Sequence, residues 1–488
     1  MNKRIIHFLG IFIVIIGAFM VFPLIVALAY GEYHQAGAFL LSIAFCITPG
    51  IVVTKTYKHS IGEEKLAVRD SYFIVTASWI LSSIAGALPY FFSGSINNIL
   101  LAFFESASGF TTTGATIFSN VEILPHSILL WRSLTQWMGG MGMIVFFFAV
   151  MPKLGAKAGT ISQAETPGPI QRKLTSKYTD TAKWFYIIYF SLTLILTILL
   201  IIGGMTGFDA INHALTTLAT GGFSTKNDGI SFYSNEFIYI SIGLFALFAG
   251  TNFALFHDAI RGKFKSIIKD EEFRYYIAII LISSLLITIS LKTTPQASNA
   301  VHDVTAAFFQ VINTISTLGV ETANSSWPPF CILILAFLMV MGGCSSSTAG
   351  GIKVSRVATF FKAVRIETKQ RLHGNVVEDI KYNGRQLQRN TIDYIISFVV
   401  LYLAVILSAT LLICLFGGGD LMTNMLSILS CISNLGPGLD NLGLLCQYHT
   451  ESAICIIVYT MVMIAGRLEL STFLVIFSRH YWDTNRIY

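Results

Sequence analysis

Charge is scarce in this chain: Asp, Glu, Lys and Arg make up 12% of its 488 residues, against 54% hydrophobic, with a mean hydropathy of +0.68. A soluble globule carries roughly 25% charged residues on its surface, so the composition excludes a water-soluble domain. Cysteine is also sparse. The seven residues sit mostly in apolar segments with no C-x-x-C spacing, which argues against a metal or thiol-redox centre and leaves them as small packing residues. There is no phosphate-binding glycine loop, no metal-ligand cluster and no nucleophile constellation, so the chain is not expected to be an enzyme or to carry a covalent cofactor.

What the chain has instead is nearly uncharged runs of about 20 residues, the length an α-helix needs to cross roughly 30 Å of hydrocarbon. Ten are expected, at 5–30, 36–57, 72–90, 129–151, 184–204, 237–255, 275–291, 330–361, 392–416 and 453–477. The first is too long for a signal-peptide core and is read as a retained helix. If the N-terminus is cytoplasmic and the spans alternate, all but four of the 32 Lys and Arg fall on one face, the exceptions being Arg132, Lys226, Lys292 and Arg467. That asymmetry is the positive-inside pattern and predicts both termini in the cytoplasm. The net charge of +6 is then topological and calls for no nucleic acid. The basic stretch 362–389 could also dock an acidic partner.

One short segment recurs. "SASGFTTTGATIF" (106–118) is echoed by "HALTTLATGGFST" (213–225), "QVINTISTLGVET" (310–322) and "SILSCISNLGPGL" (427–439). Aligned on one glycine, they give Thr112-Thr113-Gly114, Thr220-Gly221-Gly222, Thr317-Leu318-Gly319 and Asn434-Leu435-Gly436, about a hundred residues apart. Each follows an amphipathic run (96–109, 208–219, 304–316, 420–433) too short to cross a membrane, which reads as a re-entrant half-helix. Each precedes a long apolar run with a further glycine, at Gly140, Gly250, Gly343 and Gly466.

The expected fold is therefore an all-α polytopic membrane protein. It has an N-terminal two-helix hairpin (1–70) and four pseudo-repeats of helix, pore half-helix, filter loop and helix around one ion pore (71–180, 181–272, 273–391, 392–488). Irregular backbone at membrane depth is tolerated only where protein buries it or where it lines a water-filled path. Four glycine-containing loops could turn their carbonyls to one axis and replace the hydration shell of a cation, with Thr hydroxyls in the same column. Glu321 could attract cations at the outer mouth or bond to nearby loop backbone.

Two features suggest control of such a path. A straight helix over 330–361 would be about 48 Å long, so it must break. "GGCSSSTAGG" (342–351) supplies four glycines and no large side chain for a loop there or, more plainly, a kink. Arg467, within the last span, would repel a cation if it faced the axis; held by carbonyls or another helix's acid, it would be structural.

These loops, with "GGFST", "NLGPG", "GGCSSSTAGGIK" and "AGRLEL", resemble the Trk/Ktr potassium transporter family, and the added hairpin is most similar to its TrkH-type membrane subunits. The resemblance covers the whole chain. It implies K+ uptake in the bacterial inner membrane, a homodimer, and a cytoplasmic nucleotide-binding regulatory subunit of the TrkA type. It favours an intramembrane gating loop formed by Gly342, Gly343, Cys344, Ser345, Ser346, Ser347, Thr348, Ala349, Gly350 and Gly351, with Arg467 as a gate residue. The single shared glycine per loop, Asn434 in place of Thr, and Pro437 suggest looser selectivity that admits Rb+ and Na+. A secondary symporter coupled to H+ or Na+ is the alternative, with Glu105 and His213 as intramembrane groups that keep it open.

Overall fold

The computed structural model describes residues 3–57, 68–142, 178–293, 300–320, 327–373, 379–436, 448, 451–468 and 470–482. The first two helices, α1 (Lys3–Phe19) and α2 (Val21–Ala29), run as one span against α3 (Tyr33–Thr56). They cross at glycine: a Cβ on Gly50 would come 2.9 Å from the carbonyl oxygen of Gly10, the small-residue approach that lets membrane helices pack tightly. The turn after α2 ties this hairpin to the rest of the chain, because the Glu32 carboxylate accepts from the amides of His126 (2.7 Å) and Ser127 (3.1 Å). A carboxylate at a helix N-terminus satisfies orphan amides and complements the helix dipole.

The first repeat is α4 (Val68–Phe92), the short α5 (Ile99–Phe110) and α6 (His126–Gly140). The second is α7 (Tyr178–Ile202), α8 (Gly207–Ala219), α9 (Glu236–Ala249) and α10 (Phe253–Ile260), followed by the small α11 (Phe264–Lys269). The third is α12 (Glu271–Thr293), α13 (Ala300–Ile315), α14 (Pro329–Met341) and α15 (Val354–Leu372), then a two-residue-per-strand hairpin of β1 (Lys381–Tyr382) and β2 (Arg385–Gln386). The fourth is α16 (Arg389–Phe416), α17 (Leu421–Ser433), α18 (Ala453–Arg467), α19 (Leu470–Val475) and α20 (Arg479–Trp482).

The short helices α5, α8, α13 and α17 have 12, 13, 16 and 13 residues. At 1.5 Å per residue they reach about 18–24 Å, less than a bilayer core. Their starts are set locally: the Asn98 side chain accepts from Leu100 N at 2.9 Å and Thr206 Oγ1 from Asp209 N at 3.1 Å, the N-cap bonds that replace missing helical partners.

Ten spans were expected, with a break required only in 330–361, but six helical spans among the described residues are long and apolar enough to cross a membrane, or seven counting α9 with α10, which bend by 97°. The difference lies in the second helix of each repeat. It stops early in all four, at Gly140, Ala249, Met341 and Arg467, so the expected spans 237–255, 330–361 and 453–477 are each interrupted. In 129–151 the described part ends just past α6, and 143–151 lie outside the described residues. At two of these ends the helix is packed closely on a neighbouring loop: a Cβ on Gly139 or Gly466 would overlap the carbonyl of Phe110 or Ile432 respectively.

Packing order is cyclic. The half-helix α8 packs on α6, α13 on α9, α17 on α14, and α5 on α18. Each half-helix thus leans on the second helix of the preceding repeat, and the fourth closes onto the first.

Candidate functional site

All four short helices end in the same backbone construction. The amides of Thr113, Gly221, Leu318 and Leu435 bond to the carbonyls of Ser108, Thr216, Asn313 and Ser430 at 2.9–3.1 Å. One residue earlier, the amides of Thr112, Thr220, Thr317 and Asn434 bond to the carbonyls of Gly109, Thr217, Thr314 and Cys431 at 3.0–3.3 Å. Together these are the paired 6→1 and 5→2 bonds that cap a helix when the following residue turns left-handed.

Glycine or asparagine is the usual choice at that left-handed position, yet three of the four are threonine. Thr112, Thr220, Thr317 and Asn434 have φ of 53–55°. A β-branched residue there is strained, by an amount on the order of 1–3 kcal/mol, and such strain persists where surrounding structure imposes it. Two residues on, Gly114, Gly222, Gly319 and Gly436 have φ of 68–82°, as their glycine identity suggested. The left-handed threonines carry no local sequence signal. What imposes them is the ring the loops form.

That ring is visible in what each anchor glycine touches. A Cβ on Gly114 would overlap the carbonyl oxygen of Gly221, one on Gly222 that of Leu318, one on Gly319 that of Leu435, and one on Gly436 that of Thr113. The middle carbonyl of each loop therefore abuts the glycine of the preceding loop, through all four and back to the start. Thr112, Thr113, Gly114, Thr220, Gly221, Thr317, Leu318, Gly319, Asn434, Leu435 and Gly436 are buried, and Gly222 is half-buried. Asn434 stitches the last loop to the first by donating from Nδ2 to Thr113 Oγ1 at 3.0 Å. The Asn434 Oδ1 and Thr112 Oγ1 oxygens are buried with no hydrogen-bond partner among the described residues.

Beneath the third loop lies the 342–351 segment. It leaves α14 at Gly342 (φ 72°), turns at Ser346 (φ 54°) and Gly351 (φ 75°), and enters α15 through Lys353 (φ 85°). Its neck is closed by Ile352 N to Val340 O (2.9 Å) and Val354 N to Gly343 O (3.0 Å), so the chain leaves and returns at one level. The segment is a closed loop, and the kink alternative does not describe it. Gly350 N donates to Thr317 Oγ1 at 2.8 Å, and a Cβ on Gly350 would overlap the Ser433 carbonyl; the loop touches the bases of the third and fourth ring segments. Cys344, Ser345, Thr348 and Ala349 are buried, so the Cys344 thiol is closed off in this conformation.

Besides backbone bonds to Ala249, Gly250 and Phe253, ionisable side chains hold the loop down. Arg467 donates from Nη1 to Thr348 O (2.7 Å) and from Nη2 to the carbonyls of Gly139 (2.8 Å) and Gly140 (2.6 Å). The guanidinium is held by carbonyls, and one of those carbonyls belongs to the loop. Glu272 accepts from Ser345 N at 2.6 Å. The buried Lys353 Nζ donates to Ala349 O at 2.6 Å and reaches Cys344 O and Ser347 Oγ at 3.4 Å, spanning both limbs of the loop. Sequence reasoning missed Lys353; the only available signal was a lysine directly after an apolar, glycine-rich segment.

The glycines of the second helices align differently from expectation. Gly466 matches Gly139, since each meets the carbonyl two residues before its own left-handed position, whereas Gly140 and Gly250 meet Ala219 and Ser316 of the next repeat. Arg467 thus stands in register with Gly140 and Gly250. Glu321, Pro437 and Glu469 lie outside the described residues.

Of the two intramembrane groups kept for coupling, Glu105 is fully buried and paired with Arg132 Nε at 2.9 Å, and it also accepts from Thr116 Oγ1 (3.1 Å) and Ile117 N (3.0 Å). His213 is buried against the edge of Tyr233, centroids 5.7 Å apart, and its Nε2 finds no partner among the described residues. Neither lies in the ring itself.

A family profile described as "TrkH: Cation transport protein" matches residues 35–484. The Trk system potassium uptake protein TrkH of Escherichia coli (strain K12) is 34% identical, over 98% of this chain and 99% of that protein. Trk system potassium uptake protein TrkG of the same strain is 32% identical, over 98% of each chain. The crystal structure of the potassium transporter TrkH from Vibrio parahaemolyticus superposes with a TM-score of 0.88 at 30% identity, covering 98% of this chain and 99% of that one.

Proposed function

The chain belongs to the TrkH family of cation transport proteins, and on that footing we propose that it carries K+ across the bacterial inner membrane by channel-like permeation through the ring of its four loops. The observation that carries this reading is the closed cycle in which the carbonyls of Thr113, Gly221, Leu318 and Leu435 each meet the anchor glycine of the preceding loop. Carbonyls gathered on one axis can replace the hydration shell of K+. The unpartnered oxygens of Thr112 and Asn434 add acceptors that a cation would satisfy, since a buried oxygen without a partner is otherwise costly. The short helices end at the ring, so their C-terminal dipoles favour a cation beneath it.

In this reading residues 342–351 are the gate, closed in the present conformation, with Arg467 as its latch. Both termini are cytoplasmic, which puts the exposed basic residues of α15 on the face where a nucleotide-binding regulatory subunit of the TrkA type would act. The assembly is a homodimer. These assignments rest on the positive-inside asymmetry and on kinship with Trk system proteins.

The test is ion flux in sealed liposomes of purified protein, with and without pH and Na+ gradients. Uptake driven by the K+ gradient alone supports permeation. Uptake that requires a H+ or Na+ gradient would replace the channel reading with symport.

A further inference from the structure

We propose that Gln136 is a positioning residue that fixes the repeat-two carbonyl of the ring and thereby sets its discrimination between K+ and Na+; this rests on the filter reading above. Gln136 lies on α6, one turn beyond Arg132, and is fully buried. Its Nε2 donates to Gly221 O at 2.6 Å and its Oε1 accepts from Phe223 N at 3.2 Å. One side-chain amide therefore grips the backbone on both sides of Gly222. Arg132 braces the same loop: Nη1 donates to Ser224 O at 3.3 Å, and the guanidinium stacks 4.0 Å from the centroid of Phe223.

This arrangement accounts for a residue the repeat pattern leaves unexplained. The middle position holds Thr113, Leu318 and Leu435 in three loops but glycine in the second. A Cβ on Gly221 would overlap the Gln136 amide carbon and lie 2.8 Å from its Nε2. Gln136 thus fills, from the neighbouring helix, space that the other loops fill with their own side chains.

Filling alone would not call for an amide, because a hydrocarbon of the same volume avoids the cost of burying polar atoms. Among the described residues no side chain donates to the carbonyls of Thr113, Leu318 or Leu435. The ring is therefore unequal: the Gly221 oxygen has one lone pair committed to a buried donor. A tethered carbonyl resists the inward swing that a smaller Na+ demands, and the bond behind it sets its field at the axis. Both quantities enter the choice between K+ and Na+.

The experiment is bi-ionic reversal potentials of the full-length protein in liposomes. Gln136→Leu and Gln136→Met keep the volume and remove both hydrogen bonds. The exchange Gln136→Ala with Gly221→Leu rebuilds in repeat two the packing of repeats three and four, again without the bond. The K+/Na+ permeability ratio should fall about tenfold in both single variants and stay low in the exchange variant. A wild-type ratio in the single variants overturns the proposal. So does full recovery in the exchange variant, which would make Gln136 a space-filler; should the single variants fail to fold, the exchange variant decides. Unmutated protein with no K+ preference in the same liposomes would instead sink the filter reading itself.

Discussion

Arg467→Ala removes a guanidinium that joins the 342–351 loop to the end of α6, through Thr348 O at 2.7 Å and the carbonyls of Gly139 and Gly140 at 2.8 and 2.6 Å. Of these three bonds, the one to Thr348 is made to the loop itself. A hydrogen bond from a charged donor contributes about 1.5–3 kcal/mol, so its loss should favour the open loop by about tenfold to a hundredfold, at 1.4 kcal/mol per tenfold. On the proposed reading that Arg467 lies on the ion path, removing its positive charge acts in the same direction. Arg467→Lys separates the two effects, since an ammonium keeps the charge but cannot span three carbonyls as a planar fork does. It should give flux between wild type and Arg467→Ala. The assay is K+ efflux from liposomes, with size-exclusion profiles to verify folding. Folded Arg467→Ala with unchanged or lower flux would refute the latch and leave Arg467 a structural anchor.

Gly319→Ser and Gly436→Ser should weaken K+ preference in Rb+ uptake competed by K+ and Na+, because the added Cβ meets a ring carbonyl; Gly37→Ser, where nothing lies within 4 Å, should leave competition unchanged. Lys353→Met should release the two limbs of the loop and, with the other cysteines replaced, raise the rate at which cytoplasmic thiol reagents reach the buried Cys344. Labelling as slow as in the parent would place the restraint elsewhere. Arg132→Met leaves the fully buried Glu105 carboxylate without its partner and should destabilise the protein by about 3–5 kcal/mol, read as a lowered thermal midpoint in detergent. An unchanged midpoint would mean the pair is dispensable.

The half-helices were legible because length, amphipathicity and a local cap agree: α8 begins after Thr206 and ends at Ala219, and α17 ends at Ser433, where the repeat pattern put them. The early ends of α6 and α18 were not, because the contacts made there, Gly139 against the Phe110 carbonyl and Gly466 against that of Ile432, lie with residues distant in sequence. The left-handed Thr112, Thr220 and Thr317 were hidden for a related reason: local preference opposes that conformation and the ring imposes it. Gln136 and Arg132 reach partners as far as 85 and 92 residues away in sequence, where spacing gives no hint, and Lys353 closes a local loop whose shape the sequence does not show. Only the overlong third-repeat segment announced its break, since no bilayer accommodates a straight helix of that length.

The most direct test of the central claim is a crystal of this protein soaked in Rb+, measured for anomalous scattering. Rb+ in the ring would give a difference peak on the axis between the carbonyl oxygens of Thr113, Gly221, Leu318 and Leu435, lost when K+ replaces Rb+. Rb+ bound elsewhere in the membrane region, with nothing between those four carbonyls, would contradict it.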